Sequence, residues 1–107
     1  MAVNRELEAL ERALEEGIRL LAPDGRMVVI TFESLSDRLV KQRFAAHVGR
    51  SVSLQQGGAR WEGESPAVAP LTRRPLTAGE EETARNPRAR SAKARAVRRL
   101  RPAEEQF

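Results

Sequence analysis

The sequence contains no cysteine and only one histidine, His47. Disulfides and thiolate metal sites are therefore excluded. Any metal site would have to depend on carboxylates, because only one imidazole is available. We expect no metal ion in this chain.

Aromatic residues are also scarce, at 4% of the chain, although 40% of the residues are hydrophobic. Large apolar side chains contribute most of the burial free energy of a core, so a short chain that lacks them has a weak core. The 107 residues suffice for one small domain or for a piece of a larger one. We expect a chain that is only marginally stable by itself.

Long apolar runs are missing as well. The longest clean run, residues 27–30, is far shorter than the roughly 20 residues of a membrane helix. The N-terminal residues are rich in glutamate, without a basic segment followed by an apolar one, so no signal peptide is expected. A cytoplasmic location without membrane contact is the default expectation.

Positive charge, by contrast, is concentrated at one end. The net charge is +4, and residues 83–107 alone hold eight basic and two acidic residues, a net +6. A basic block of this kind often contacts phosphate, but a solvated basic tail is an equally good interpretation of the composition.

The first 21 residues show apolar side chains at spacings of three and four, which predicts an amphipathic helix. Asn4 is a candidate cap for its start. Pro23-Asp24-Gly25 then predicts a turn.

The next segment predicts a strand and a second helix. Residues 26–32 are short, largely apolar and β-branched, which favours a central strand covered on both faces, as in a parallel sheet. Ser34 with Asp37 resembles a capping box before a second amphipathic helix that ends near Gly49. Helix, turn, strand and helix in this order are typical of an α/β fold.

Residues 49–66 have no apolar period and predict a mobile loop. Trp61 lies inside this segment. Its indole could stack on a nucleic-acid base, but anchoring of the loop to the protein is the better interpretation.

The C-terminal third is less regular. Val68 to Leu71 suits a short strand at a sheet edge, because Pro70 cannot donate to a ladder. Thr77 with the following glutamates predicts a helical turn that Asn86-Pro87 ends. Residues 88–100 fit a strand by alternation and a helix by intrinsic propensity, and the pattern leaves both open.

The chain is accordingly divided into a helix–strand–helix unit (1–48), a flexible loop (49–66), C-terminal strands with a short helix (67–100) and a tail (101–107).

Three segments carry a resemblance to a known family. They are residues 3–26, residues 30–41, and residues 75–93 with the sequence Asn-Pro-Arg-Ala-Arg-Ser-Ala at 86–92. Together they resemble the S-adenosylmethionine-dependent methyltransferases that modify N4 of a cytosine in small-subunit (16S) ribosomal RNA, the methyltransferase H family. The match covers nearly all of residues 3–98 apart from the loop.

The resemblance implies a fold. It indicates the C-terminal part of a Rossmann-like class I methyltransferase sheet, with two long helices, one buried parallel strand, a short strand and an antiparallel last strand. Residues 26–32, 67–73 and 90–98 would be the fifth, sixth and seventh strands. This favours a strand in the basic run at 88–100.

Two departures from the family pattern bear on function. Glu33 and Ser36 stand where the family has His and Glu, and a carboxylate at 33 should weaken contact with polyanionic RNA. The glycine-rich turn that holds S-adenosylmethionine in the family has no counterpart here, since Gly57-Gly58 follows no buried strand. We therefore expect no cofactor-binding and no catalytic residue in this chain, although the family enzyme uses S-adenosylmethionine.

Site residues are predicted at two places. Ligands of open α/β sheets bind beyond the carboxyl ends of strands. The expected edge of a substrate pocket consists of Thr31, Phe32, Glu33 and Ser34, although Ser34 suits a helix cap better. The expected contacts with RNA phosphates are Arg38, Lys41, Arg73, Arg74, Arg88, Arg90, Lys93 and Arg95.

Three hypotheses on function follow. The chain is a methyltransferase fragment that is inactive alone, a small basic RNA-binding or ribosome-associated module without enzymatic activity, or a partner that completes a sheet with a separately encoded N-terminal half. Ribosomal RNA or the small ribosomal subunit is the expected partner in the first two.

Overall fold

A computed structural model describes residues 2–105 as a single α/β unit. Its α-helices are α1 (Ala2–Leu20), α2 (Ser34–Val48) and α3 (Glu80–Arg85). Its strands are β1 (Arg26–Thr31), β2 (Arg50–Ser53), β3 (Ala59–Glu62), β4 (Val68–Pro70), β5 (Leu76–Thr77) and β6 (Lys93–Arg99). Two 3-10 turns cover Pro87–Ser91 and Pro102–Glu105.

The main sheet is built around β6. Strand β6 lies between β1 and β4, β5 pairs with its N-terminal end, and all of these pairs are antiparallel. The register places Met27 opposite Val97 and Thr31 opposite Lys93. The basic run is therefore a strand, and the expectation of an antiparallel last strand is confirmed.

Helices α1 and α2 pack on one face of this sheet. Leu14 and Ile18 of α1 meet Val40 and Phe44 of α2 in a core that β4 and β6 complete with Val68 and Val97. The apolar face predicted for α1 is thus the buried one. No helix among residues 2–105 has the length and apolar character needed to cross a membrane.

Strand β1 corrects one prediction. Met27 and Val29 pack against the core, whereas Val28 is 63% and Ile30 58% exposed on the other face. Within the described residues β1 pairs only with β6, in antiparallel fashion, so it is an edge strand covered on one face rather than a central parallel strand. The prediction failed because the strand has apolar side chains on both faces, whereas the helices of the described residues cover only one face.

The segment predicted as a loop, residues 49–66, contains two strands in the structure. Strands β2 and β3 form a separate antiparallel hairpin, with Ser51 opposite Trp61. Polar residues occupy both faces of these strands, which removes the apolar alternation by which a strand is recognised in sequence. The hairpin was therefore not predicted.

Element ends differ from the prediction in several places. Helix α1 begins at Ala2, so Asn4 lies inside it, and α2 begins at Ser34 after Glu33, with no side-chain cap. The strand predicted over residues 67–73 covers only Val68–Pro70, which is β4. The strand predicted over residues 90–98 is Lys93–Arg99, or β6, and it begins later because residues 87–91 form a 3-10 turn. Residues 106 and 107 of the predicted tail lie outside the described residues.

Candidate nucleic-acid interface

The carboxyl end of β1 carries the predicted pocket edge. Thr31 is buried, at 7% exposure, whereas Phe32 is 57% exposed and Glu33 and Ser34 are exposed beside it. An aromatic ring directed away from the core at a strand end is available to a ligand.

Phe32 lines a cavity of about 500 Å³ together with Asn86, Arg88 and Ser91. The Asn86 side chain accepts a hydrogen bond from the Arg88 backbone N–H at 3.2 Å, which starts the 3-10 turn and fixes the position of Arg88. An aromatic face, a guanidinium and neutral polar groups are the set that single-stranded nucleic acid requires for stacking and phosphate contact. Phe32 was predicted for the pocket edge and Arg88 for phosphate contact, and both line this one cavity.

Thr31 borders a second cavity of about 290 Å³, which also includes Phe32, Glu33 and Ser36. The Thr31 hydroxyl is buried and has no hydrogen-bond partner within residues 2–105. A buried unpaired hydroxyl costs about 1–3 kcal/mol. Glu6 and Glu33 border the same cavity, and their negative charge disfavours a phosphate there.

The eight predicted phosphate contacts separate into groups. Lys41 and Arg73 line one cleft between α2 and the sheet, and Arg88 lies at the Phe32 cavity with Arg90 in the same 3-10 turn. Arg38 lies instead beside Glu8 and Glu11 of α1, where acidic neighbours oppose phosphate binding.

Arg74 and Lys93 complete the set of eight. Arg74 is exposed in the segment between β4 and β5. Lys93 is half-buried on β6, close enough to Asp37 to influence its ionisation.

Arg95 pairs with a carboxylate of the chain itself. It forms two hydrogen bonds to the carboxylate of Asp37, at 2.7 and 3.0 Å, and both side chains are largely buried. The hydrogen bonds from Arg95 hold the pKa of Asp37 below its ordinary value. Arg95 is therefore paired within the protein, and Asp37 does not act as a helix cap.

His47 is 1% exposed, and no sequence pattern predicted its surroundings. Its Nδ1 lies 2.8 Å from the Pro66 carbonyl oxygen and its Nε2 lies 2.7 Å from the carboxylate of Glu15. Both partners are acceptors, so each ring nitrogen donates when the imidazole is protonated. Glu15 lies 32 positions away on α1, a separation that no local motif reveals.

Glu15, His47 and Glu64 also have the spacing of a metal-ligand group. However, the guanidinium of Arg43 contacts both carboxylates, that of Glu15 at 2.6 Å. The cation that these carboxylates face is thus Arg43, and the cluster is an ion-pair network joining α1, α2 and the segment after β3.

Trp61 anchors the hairpin to α2, as the preferred interpretation predicted. Its Nε1 donates to the Val48 carbonyl at 2.9 Å. Gly49, with φ of +66°, and Gly63 allow this approach, because a Cβ at either position would lie 2.4 Å from the indole.

The described residues do not fit a site for S-adenosylmethionine. The only adjacent glycine pair, Gly57-Gly58, lies in open space at the turn between β2 and β3 and does not begin a helix. A nucleoside cofactor of this kind is held where a glycine-rich turn connects a buried strand to a helix. Strand β1 is followed instead by Phe32, Glu33 and the start of α2.

Comparison with known proteins gives a consistent result. The family model described as MraW methylase family matches residues 1–100. Proteins named Ribosomal RNA small subunit methyltransferase H are 46% identical over 100 residues in Chlorobium phaeovibrioides, 51% over 100 in Maricaulis maris and 47% over 105 in Symbiobacterium thermophilum. These alignments cover 94%, 89% and 98% of this chain but only 31%, 29% and 33% of the relatives.

The chain thus spans about a third of the length of the curated relatives it matches, and the similarity extends over both long helices and the main sheet. The chain belongs to the MraW methylase family.

Proposed function

We propose that this chain is a C-terminal segment of an S-adenosylmethionine-dependent methyltransferase that modifies N4 of a cytosine in 16S ribosomal RNA. In this proposal β1, β6 and β4 are the last strands of a Rossmann-like class I sheet. The names of the relatives support the reaction class. The observation that carries the proposal is the cavity at the end of β1, where Phe32 and Arg88 lie together.

The role of the chain would be to hold the RNA rather than the methyl donor. Phe32 offers a face for an unstacked base, and Arg88 offers a charge for the phosphate beside it. Methyl transfer to an exocyclic amine depends on orienting the acceptor base and on excluding water. Phe32 and Arg88 would contribute to both by holding the base and its phosphate. S-adenosylmethionine would supply the methyl group to the full-length enzyme, bound by residues outside this chain.

The chain is proposed to be inactive alone for the same reason. A matching N-terminal segment would cover the exposed face of β1 and pair with the edge that β1 leaves open within residues 2–105. The chain can be co-expressed with the part of a relative that it does not match. Gel filtration should then give a complex, and this complex should methylate 16S RNA. The chain alone should give no saturable heat with S-adenosylmethionine in calorimetry, and a micromolar heat of binding would refute this part of the proposal.

RNA binding tests the site itself. Fluorescence anisotropy with single-stranded RNA should show affinity that falls steeply between about 50 and 200 mM salt, because binding releases counterions from phosphates. Phe32→Ala should weaken binding by about 1–3 kcal/mol, the typical value of one base–aromatic stack. Arg88→Gln should reduce the slope of the logarithm of the binding constant against the logarithm of salt concentration by about 1.

Arg12→Gln is the matched control, because Arg12 is an exposed arginine on α1 that lines neither the cavities at the end of β1 nor the cleft of Lys41 and Arg73. It removes the same charge and should leave the affinity nearly unchanged. Equal losses in Arg12→Gln and Arg88→Gln, with no loss in Phe32→Ala, would favour the second candidate, a basic module that binds RNA through its overall charge. That candidate is supported by the net +6 of residues 83–107.

A further inference from the structure

A second cleft lies between α2 and the C-terminal half of the main sheet. Its volume is about 250 Å³, and its walls include Phe44 and Val48 of α2, Pro70 of β4 and Val97 of β6. None of its lining residues belongs to the Phe32 cavity. The volume is somewhat below the roughly 300–1,000 Å³ of pockets for drug-sized ligands, which suits one planar ring system.

Two cations of this cleft form no ion pair among the described residues, although Lys41 lies close enough to Asp37 to help lower the pKa of that carboxyl. Lys41 and Arg73 both line it, both are exposed, and neither forms an ion pair within the described part of the chain. The nearby carboxylate of Asp37 is already paired with Arg95. An anion at the rim would therefore meet a net positive charge, since Lys41, Arg73 and Arg95 line the cleft and Asp37 is the carboxylate near them.

A hydroxyl is also available. The Thr72 side-chain oxygen accepts a hydrogen bond from the Ala96 backbone N–H at 3.2 Å, and Thr72 lines the cleft. An oxygen that accepts from the backbone keeps its own O–H to donate. The cleft thus combines apolar walls, one donor and the two cations.

We infer that this cleft binds one nucleotide of a single-stranded nucleic acid, with the base against the apolar wall that includes Val48 and Pro70 and its phosphate at Lys41 and Arg73. The ligand class follows from the combination of an apolar slot and cations at its rim, since a purely apolar partner would leave both charges unused. The inference rests on the proposed RNA function and adds a second contact point. An RNA strand could then be held both at the Phe32 cavity and at this cleft.

NMR titration of the 15N-labelled chain with pentauridylate, uridine monophosphate and inorganic phosphate tests the inference. Pentauridylate and uridine monophosphate should both shift the amide signals of Ala45, Thr72 and Ala96 in a saturable manner. Inorganic phosphate should shift only signals near Lys41 and Arg73, because it lacks a base. Tighter binding of pentauridylate than of the monophosphate identifies RNA as the source of the nucleotide, and equal affinity identifies a free nucleotide.

Variants of the lining residues distinguish binding in the cleft from a general attraction of the nucleotide to positive charge. Ala45→Leu adds volume at an exposed helix position that lines the cleft, and it should abolish the base-dependent shifts without loss of fold. Lys41→Gln and Arg73→Gln should each weaken uridine monophosphate binding several-fold, whereas Arg12→Gln should not.

Two results would overturn the inference. One is an unchanged affinity in Ala45→Leu. The other is a set of pentauridylate shifts confined to residues 86–91 and Phe32, which would leave the proposed RNA function intact and remove only this second site.

Discussion

Arg95 holds the carboxylate of Asp37 with both its Nε and one terminal nitrogen, at 2.7 and 3.0 Å. This pair joins the middle of β6 to the first turn of α2 across 58 positions of sequence. The side chains are only 13% and 10% exposed, so solvent screens the pair weakly. It fixes the helix on the sheet beside the cleft that Lys41 and Arg73 line.

Asp37→Ala should lower the free energy of unfolding by about 3 kcal/mol, because it leaves a buried guanidinium without a counter-charge. Urea denaturation followed by circular dichroism measures this loss. Replacing both partners, as Asp37→Leu with Arg95→Met, should recover most of the stability, since no unpaired charge remains.

Glu33→Ala is the control for that experiment. Glu33 is an exposed carboxylate just before α2, and its removal should change stability by no more than about 0.5 kcal/mol. A loss in Glu33→Ala as large as in Asp37→Ala would contradict a specific role for the pair.

Stability should fall at acid pH. Burial opposes ionisation of Glu15, but the hydrogen bonds from Arg43 and His47 outweigh it and hold its pKa below the ordinary 4.5. Hydrogen bonding to Arg95 likewise holds the pKa of Asp37 below 3.8. The unfolded chain then binds more protons than the folded one in this range, so stability is full above about pH 5 and is lost as pH falls through the folded pKa values.

Urea midpoints at about pH 7, 5, 4 and 3 check this prediction. We expect nearly equal midpoints at the two higher pH values and a progressive decrease below them. Glu15→Gln should flatten the decrease, because one of the titrating carboxylates is gone. Midpoints that stay constant over the whole range would show that these ion pairs do not stabilise the fold.

Gly49→Ala should detach the hairpin of β2 and β3 from α2. The new Cβ would lie 2.4 Å from the Trp61 nitrogen, and the positive φ of +66° disfavours any side chain there. We expect a loss of at least about 2 kcal/mol and a red shift of the tryptophan fluorescence as the indole becomes exposed. Gly79→Ala is the matched control, since a Cβ added there would have nothing within 4 Å, and an unchanged emission spectrum in Gly49→Ala would argue against the anchor.

The two faces of β1 should differ in how well they tolerate a charged side chain. Val28→Lys lies on the exposed face and should change stability by no more than about 0.5 kcal/mol while reducing self-association in sedimentation experiments. Val29→Lys, one position on, places a charge against the core and should prevent stable folding. Equal tolerance of both substitutions would mean that the helices do not cover this face.

Several features of this protein were determined by its sequence alone. The repeat of Leu14 and Ile18 with their neighbours specified α1 and its buried face, and the apolar run at 27–30 specified a strand. The segment with Asn86-Pro87 pointed to the family that the comparisons identify. These features are local, because helix periodicity and turn chemistry depend on residues a few positions apart.

Tertiary structure alone decided the rest. Alternation in the basic run could not tell strand from helix until β1 and β4 paired with β6 on either side. Charge composition could not tell that Arg95 faces Asp37 while Lys41 and Arg73 line a cleft, nor that His47 faces Glu15. Each of these outcomes depends on which distant segments meet, and the free energy that selects a partner comes from burial and electrostatics between them rather than from the local sequence.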